Sequence, residues 1–190
     1  MGEAIIGVVG RLDPMKDHPT FLRAVEMLSR SREQVRYVCV GGGPSEYRAA
    51  LKKMAGALAV GERVIWAGER LDMRGVYGVL DVACSSSAFG EGFPNVVGEA
   101  MASEVPCVVT DVRDSAAVVG DTGVVVPPGS AEGLASAWEV LLALGREGRS
   151  TLGEKARRRI LENYPLDAMI QRTTSLSEAL LSDKRLAPHG

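Results

Sequence analysis

Six short apolar runs recur along the chain, and polar stretches with helical spacing fill the gaps between them. The runs are Ala4 to Val9, Val35 to Val40, Arg63 to Ala67, Asp81 to Cys84, Pro106 to Thr110 and Gly123 to Val126. Several are apolar at every position, as expected of strands buried on both faces. Helical spacing follows the first through Phe21, Leu22, Ala24, Val25 and Leu28, and the second through Tyr47, Leu51, Met54 and Leu58, with Ser45 as the cap. A short helix is predicted from Leu71 to Val79, opened by Asp72, and another after Pro94. A further one starts at Ser130 and runs through Leu134, Ala137, Trp138, Leu141 and Leu142. Strands alternating with helices predict an α/β fold, a Rossmann-like parallel six-stranded sheet with helices on both faces. In such sheets ligands sit at the carboxyl ends of the strands, where strand order reverses. Every glycine-rich or charged loop of this chain follows a strand, so all of them fall on that one edge.

After Gly145 the pattern changes. Ser150 to Glu162 is a basic helix, Tyr164-Pro165 breaks it, and a last helix over 165–181 carries Leu166, Met169, Ile170, Thr173, Leu176 and Leu180 on one stripe. No strand follows for it to cover. It either packs back on its own domain or crosses onto another one. Residues 1–183 are expected to form one domain, and 184–190 a tail.

Composition narrows the function classes. The 190 residues carry a formal charge of −2, so no bulk field draws the chain to nucleic acid or an anionic membrane. Only 5% of residues are aromatic, which argues against a base-stacking surface. Cys39, Cys84 and Cys107 sit inside apolar runs without ligand spacing, the pattern of reduced, buried thiols in a cytosolic protein. No signal peptide and no apolar run long enough to span a bilayer is apparent.

The chemistry gathers in a few loops. Phe89-Gly90-Glu91-Gly92-Phe93-Pro94-Asn95-Val96-Val97-Gly98-Glu99 runs from a strand end into a helix. Pro94 suits the first helical position, which leaves the amides of Asn95, Val96 and Val97 pointing out of the helix start towards an anion or a sugar hydroxyl. Glu91 in the turn and Glu99 in the helix are placed to grip two parts of one polar ligand, since carboxylates accept strongly from paired hydroxyls. As a glycosidase acid–base pair they fit less well, because neither lies in an apolar environment that would raise its pKa. Arg11 and Lys16, beside the first strand's end, offer a planar fork and a mobile point charge that together suit a diphosphate, although their spacing alone fits two solvated surface cations better. His18 has no partner at ligand spacing and belongs to a helix start. Gly41-Gly42-Gly43-Pro44 fails as a dinucleotide fingerprint, with Glu46 in place of the third glycine, and is taken as a structural turn.

Taken together, these segments resemble the C-terminal half of retaining glycosyltransferase family 4, the group 1 glycosyl transferases of the GT-B fold. The resemblance rests on Gly10-Arg11-Leu12 with Lys16-Asp17-His18-Pro19-Thr20, on Val40-Gly41-Gly42-Gly43-Pro44, and on Trp66-Ala67-Gly68 with Asp72-Met73. It continues through Glu91-Gly92-Phe93-Pro94-Asn95, Glu99-Ala100-Met101-Ala102, Val105 to Asp111 and Gly120-Asp121-Thr122-Gly123.

The resemblance implies a domain that binds a UDP- or GDP-sugar for transfer of a hexose. Arg11 and Lys16 would hold the diphosphate and, with Glu91, form the catalytic set. Glu91 and the main chain of Gly92, Phe93, Pro94 and Asn95 would contact the sugar, Val96 and Val97 would line the donor site, and Glu99 would face the ribose. Glu69 and Arg70, after Gly68, would lie beside the base. The family needs no bound metal and no cofactor.

The resemblance further implies a cytoplasmic location, at the inner membrane surface in the complete enzyme. An N-terminal acceptor domain is expected as a partner in cis or trans, with no turnover by this chain alone. The stripe on the last helix would then be open to self-association. Alternatives are a nucleotide-sugar epimerase or phosphorylase of the same fold, or a non-catalytic donor-domain subunit. Two positions depart from the family: Arg113 stands at a usually small residue, and Ala117 at a usual glutamate. Replacing Glu99 by alanine is expected to weaken nucleotide binding and leave stability nearly unchanged.

Overall fold

The computed structural model describes residues 3–90, 92–165 and 174–175. Six strands, β1 (Ala4–Val9), β2 (Val35–Val40), β3 (Val64–Gly68), β4 (Val82–Ser85), β5 (Cys107–Thr110) and β6 (Gly123–Val126), form one all-parallel sheet in the order β3-β2-β1-β4-β5-β6. The chain winds outward from β1 through β2 to β3, returns to the other side of β1 as β4, and winds outward again. Strand order therefore reverses between β1 and β4, and in doubly wound sheets the carboxyl ends at that point are where ligands bind.

The apolar runs are explained by burial on both faces. Along β1, Ile6 and Val8 point to one face while Val9 points to the other. Tyr37 and Cys39 alternate with Val38 and Val40 along β2, and Val108 alternates with Cys107 and Val109 along β5. The first face is covered by α1 (His18–Ser29), α2 (Ser45–Ala57) and α6 (Ala131–Ala143), with Phe21, Tyr37 and Trp138 stacked edge-on at its centre. The second is covered by α3 (Met73–Gly78), α4 (Asn95–Ala102), α5 (Ser115–Val119) and α7 (Gly145–Asn163). The three cysteines are buried and free, as their setting in apolar runs implies.

At the opposite, amino-terminal edge, Arg149 of α7 donates to Asp81 Oδ1 at 2.7 Å, and Asp81 Oδ2 accepts from the Ile5 amide at 2.9 Å. This ion pair ties α7 to the entry of β1 and β4, so α7 belongs to the domain.

Two cap assignments need correction. Ser45 is the first helical residue of α2, and the capping position is held by Pro44 with no side-chain bond. Pro94 likewise caps α4 and Asn95 is the first helical residue. By contrast, Asp72 accepts from the Gly75 amide and Ser130 from the Gly133 amide, as caps do. The helix predicted over 165–181, with its apolar stripe and any self-association through it, lies outside the described residues apart from Pro165, Thr174 and Ser175. No helix among the described residues is long and apolar enough to cross a membrane.

Candidate functional site

The loops at the carboxyl edge are laced to one another. The Gly10 amide donates to the Val40 carbonyl at 2.9 Å, and the Leu12 amide to the Gly42 carbonyl at 2.7 Å, which joins the loop after β1 to the loop after β2. The Gly41 amide donates to the Gly68 carbonyl at 2.8 Å, which adds the loop after β3. Across the crevice, Ser86 Oγ donates to the Lys16 carbonyl at 2.7 Å, and the Ala88 amide to the Met15 carbonyl at 2.8 Å. Thr110 Oγ1 then donates to the Ser87 carbonyl at 2.6 Å, which joins β5 to the β4 loop.

The triple glycine is part of this lacing. Gly41 adopts a φ of +148°, and a side chain there would strike the Gly10 carbonyl; one at Gly43 would come within 2.6 Å of Leu12 Cβ. The turn is therefore a packing device between two loops, as the failed fingerprint suggests.

Arg11 stands two residues past the end of β1. Its side chain is 76% exposed, with Nη2 3.9 Å from Asp13 Oδ2, a contact too long and too wet to hold it in place. Lys16 closes a 3-10 turn over Pro14–Lys16 that Asp13 caps, and its aliphatic stem crosses the face of Gly10. His18 is 1% exposed and meets no hydrogen-bond partner among the described residues, which places it in the packing under the loop. Glu69 and Arg70 are exposed beyond Gly68, and Glu69 Oε2 reaches over Gly42.

The loop after β4 supplies the other wall. Gly92 and Asn95 are exposed, Pro94 is buried, and Glu91 lies outside the described residues. The Phe93 ring folds back onto Tyr164, with ring centroids 5.3 Å apart, so that side chain anchors the loop to the end of α7.

The expectation of three outward amides is overturned in part. The Asn95 amide donates to the Phe93 carbonyl at 2.9 Å and the Val97 amide to the Pro94 carbonyl at 2.9 Å. With Pro94 capping the helix, the chain turns tightly enough for its own carbonyls to take those donors. Val97 is 3% exposed and packs into the core, and Val96 is half-buried.

Glu99 is exposed on α4, and one of its oxygens is held. Tyr77, on α3 and 2% exposed, places its hydroxyl 2.8 Å from Glu99 Oε2 and 3.2 Å from the Val96 carbonyl. Burial and the neighbouring carboxylate push the Tyr77 pKa up, so the hydroxyl keeps its proton and acts as donor. Tyr77 escaped the sequence reading. Its one signal there is a polar-tipped aromatic on a short, otherwise apolar helix face. Among the described residues no group of three or more His, Cys, Asp or Glu is placed to hold a metal ion.

An all-parallel α/β sheet of this order, with helices on both faces, defines the class of doubly wound domains. Residues 3–143 match the family described as glycosyl transferases group 1, and the chain belongs to that family. It is 35% identical over 136 residues to the D-inositol 3-phosphate glycosyltransferase of Nocardia farcinica, covering 66% of this chain and 30% of that protein. The chain thus spans less than a third of that relative's length. Among solved structures it is similar to Anabaena HepE in complex with UDP-glucose, at a TM-score of 0.80 and 22% identity over 92% of this chain and 48% of that one. It is also similar to the C-terminal domain of LpcC, a group 1 glycosyl transferase of Francisella tularensis, at a TM-score of 0.77 and 20% identity over 87% and 88% of the two chains. These likenesses show the fold, a six-stranded all-parallel sheet wrapped in helices like those of GT-B glycosyltransferases.

Proposed function

We propose that this chain is the nucleotide-sugar-binding domain of a retaining glycosyltransferase. Its donor is a UDP- or GDP-hexose, and it turns over only together with an acceptor-binding domain. The observation that carries this reading is the hydrogen-bonded lacing of the four loops around the switch point. It sets the Arg11–Lys16 segment against the loop that leads into α4. Membership of the family and the UDP-glucose bound by HepE support the ligand class.

In this reading the donor diphosphate lies against Arg11 and Lys16. When the bond between the anomeric carbon and the phosphate oxygen breaks, its electron pair goes to the diphosphate, and negative charge grows there. Cations that contact the diphosphate then stabilise the transition state more than the ground state, and each such contact is worth on the order of 3 kcal/mol. Gly92 and the neighbouring exposed backbone face the sugar, together with Glu91. Glu99 accepts from the ribose hydroxyls, and the Glu69–Arg70 loop lies beside the base. In this scheme Arg11 and Lys16 supply the positive charge at the diphosphate, and no metal is invoked.

Calorimetric titration of the chain with UDP, GDP, UDP-glucose and a GDP-hexose tests the reading. One nucleotide series is expected to bind, and Arg11→Ala to weaken it by about tenfold, the loss of one charge-assisted contact. A folded chain that binds none of the four overturns it.

A further inference from the structure

We propose that Tyr77 is the positioning residue for Glu99: its buried hydroxyl holds one carboxylate oxygen so that the other faces the crevice for the ribose 2′-hydroxyl. This inference rests on the reading of Glu99 as the ribose acceptor. Three observations carry it. Tyr77 is 2% exposed and rooted in the core by its ring, so its hydroxyl is a fixed point, whereas Glu99 is an exposed side chain on a helix surface. The hydroxyl has one proton and two acceptors within reach. The carboxylate at 2.8 Å outcompetes the helix carbonyl at 3.2 Å, since a charged acceptor makes the stronger bond. Finally, the contact joins α3 to α4 across 22 residues, so the orientation of Glu99 depends on an element outside its own helix.

A free glutamate samples many rotamers, and binding must stop that motion. A glutamate already held at Oε2 has lost most of it before the ligand arrives, so the affinity gained from the ribose is larger. The gain is confined to ligands that use Glu99. A role in packing alone would affect every ligand of the domain alike.

The test compares ribonucleotide with 2′-deoxynucleotide binding, using UDP and 2′-deoxy-UDP, and GDP and 2′-deoxy-GDP, on the parent chain, Tyr77→Phe, Glu99→Ala and the double variant. The parent is expected to prefer the ribo form. Tyr77→Phe keeps the ring and removes only the hydroxyl. It is expected to lower ribonucleotide affinity by about threefold to tenfold, the worth of one hydrogen bond, and to leave 2′-deoxynucleotide affinity unchanged. In the Glu99→Ala background the same change is expected to do nothing further. Equal losses for both sugars, or an unchanged preference, overturn the positioning role while leaving the proposed function intact. Absence of binding by the parent overturns both.

A second measurement needs no variant at position 77. The four tyrosines of the chain are replaced by 3-fluorotyrosine and followed by fluorine NMR. One buried resonance is expected to move with the ribonucleotide and to stay in place with the 2′-deoxy form. Identical shifts with both forms, or none with either, count against the inference.

Discussion

Ser86 Oγ donates a 2.7 Å hydrogen bond to the carbonyl of Lys16, joining two loops that are 70 residues apart in sequence. Ser86 is 1% exposed, so water has no route to replace it. With the Ala88–Met15 backbone bond, this contact bridges the loops after β1 and β4 and anchors the main chain of Lys16.

Ser86→Ala therefore leaves a carbonyl short of its donor inside the fold. The expected cost is about 1–2 kcal/mol of stability, read as a lower urea midpoint with an unchanged slope. Nucleotide affinity is expected to fall with it, because the main chain of Lys16 loses that anchor. An unaltered midpoint and affinity would remove Ser86 from the architecture of the site.

How much of this was legible in the sequence varies from element to element. All six strands stand within two residues of their predicted bounds at either end, because strands buried on both faces must be apolar at nearly every position. Helix starts were less legible. Pro94 and Ser45 each fell one place off, since a proline fits both the cap and the first turn. Helix α5 was not foreseen: five residues with no side-chain cap leave no periodic trace. The lacing of the loops was invisible, because it runs through main-chain groups paired across long separations. Tyr77 was missed because its side-chain partner sits on another helix, 22 residues away, outside any local pattern, and it revises one expectation. Glu99→Ala strips a buried hydroxyl of its better acceptor, so it costs stability of about 1 kcal/mol instead of leaving it nearly unchanged.

His18 gives a pH signature. Its imidazole is 1% exposed with both ring nitrogens unpartnered among the described residues. Burial, helped by the nearby Lys16 charge, pushes its pKa down to about 4. The unfolded chain takes up a proton near pH 6.5, whereas the folded chain refuses it until about pH 4. The stability this group confers is complete above pH 6.5 and is lost as pH falls through that window, by about 3 kcal/mol at its lower end. His18→Leu replaces two unpaired polar atoms with apolar ones. It is expected to be neutral or stabilising at pH 7.5 and to flatten the parent's decline between pH 6.5 and 4. Urea midpoints of both proteins across that range decide the matter; parallel declines would show that His18 is not the titrating group.

Arg113 occupies a strained position with no local reason to be there. Among the described residues, four non-glycine residues have positive φ: Asp17, Ala59, Glu104 and Arg113. Ala59 and Glu104 follow the ends of α2 and α4, where left-handed residues close helices through the Val60–Ala55 and Val105–Ala100 backbone bonds. Asp17 caps α1 through the Thr20 amide. Arg113 belongs to neither group. With a φ of +51°, followed by Asp114 at −81° and −4° and a Ser115–Val112 backbone bond of 3.2 Å, it holds the first central place of a turn that favours glycine. This is a physical reason for a small residue at that place, and it makes the arginine costly. Arg113→Gly is expected to raise stability by about 0.5–1 kcal/mol, the relief of left-handed strain less the added freedom of the unfolded chain. Arg113→Val, β-branched and poorly suited to positive φ, is expected to lower it. If chemical denaturation finds the glycine variant weaker than the parent, the exposed guanidinium contributes more to the fold than the turn costs.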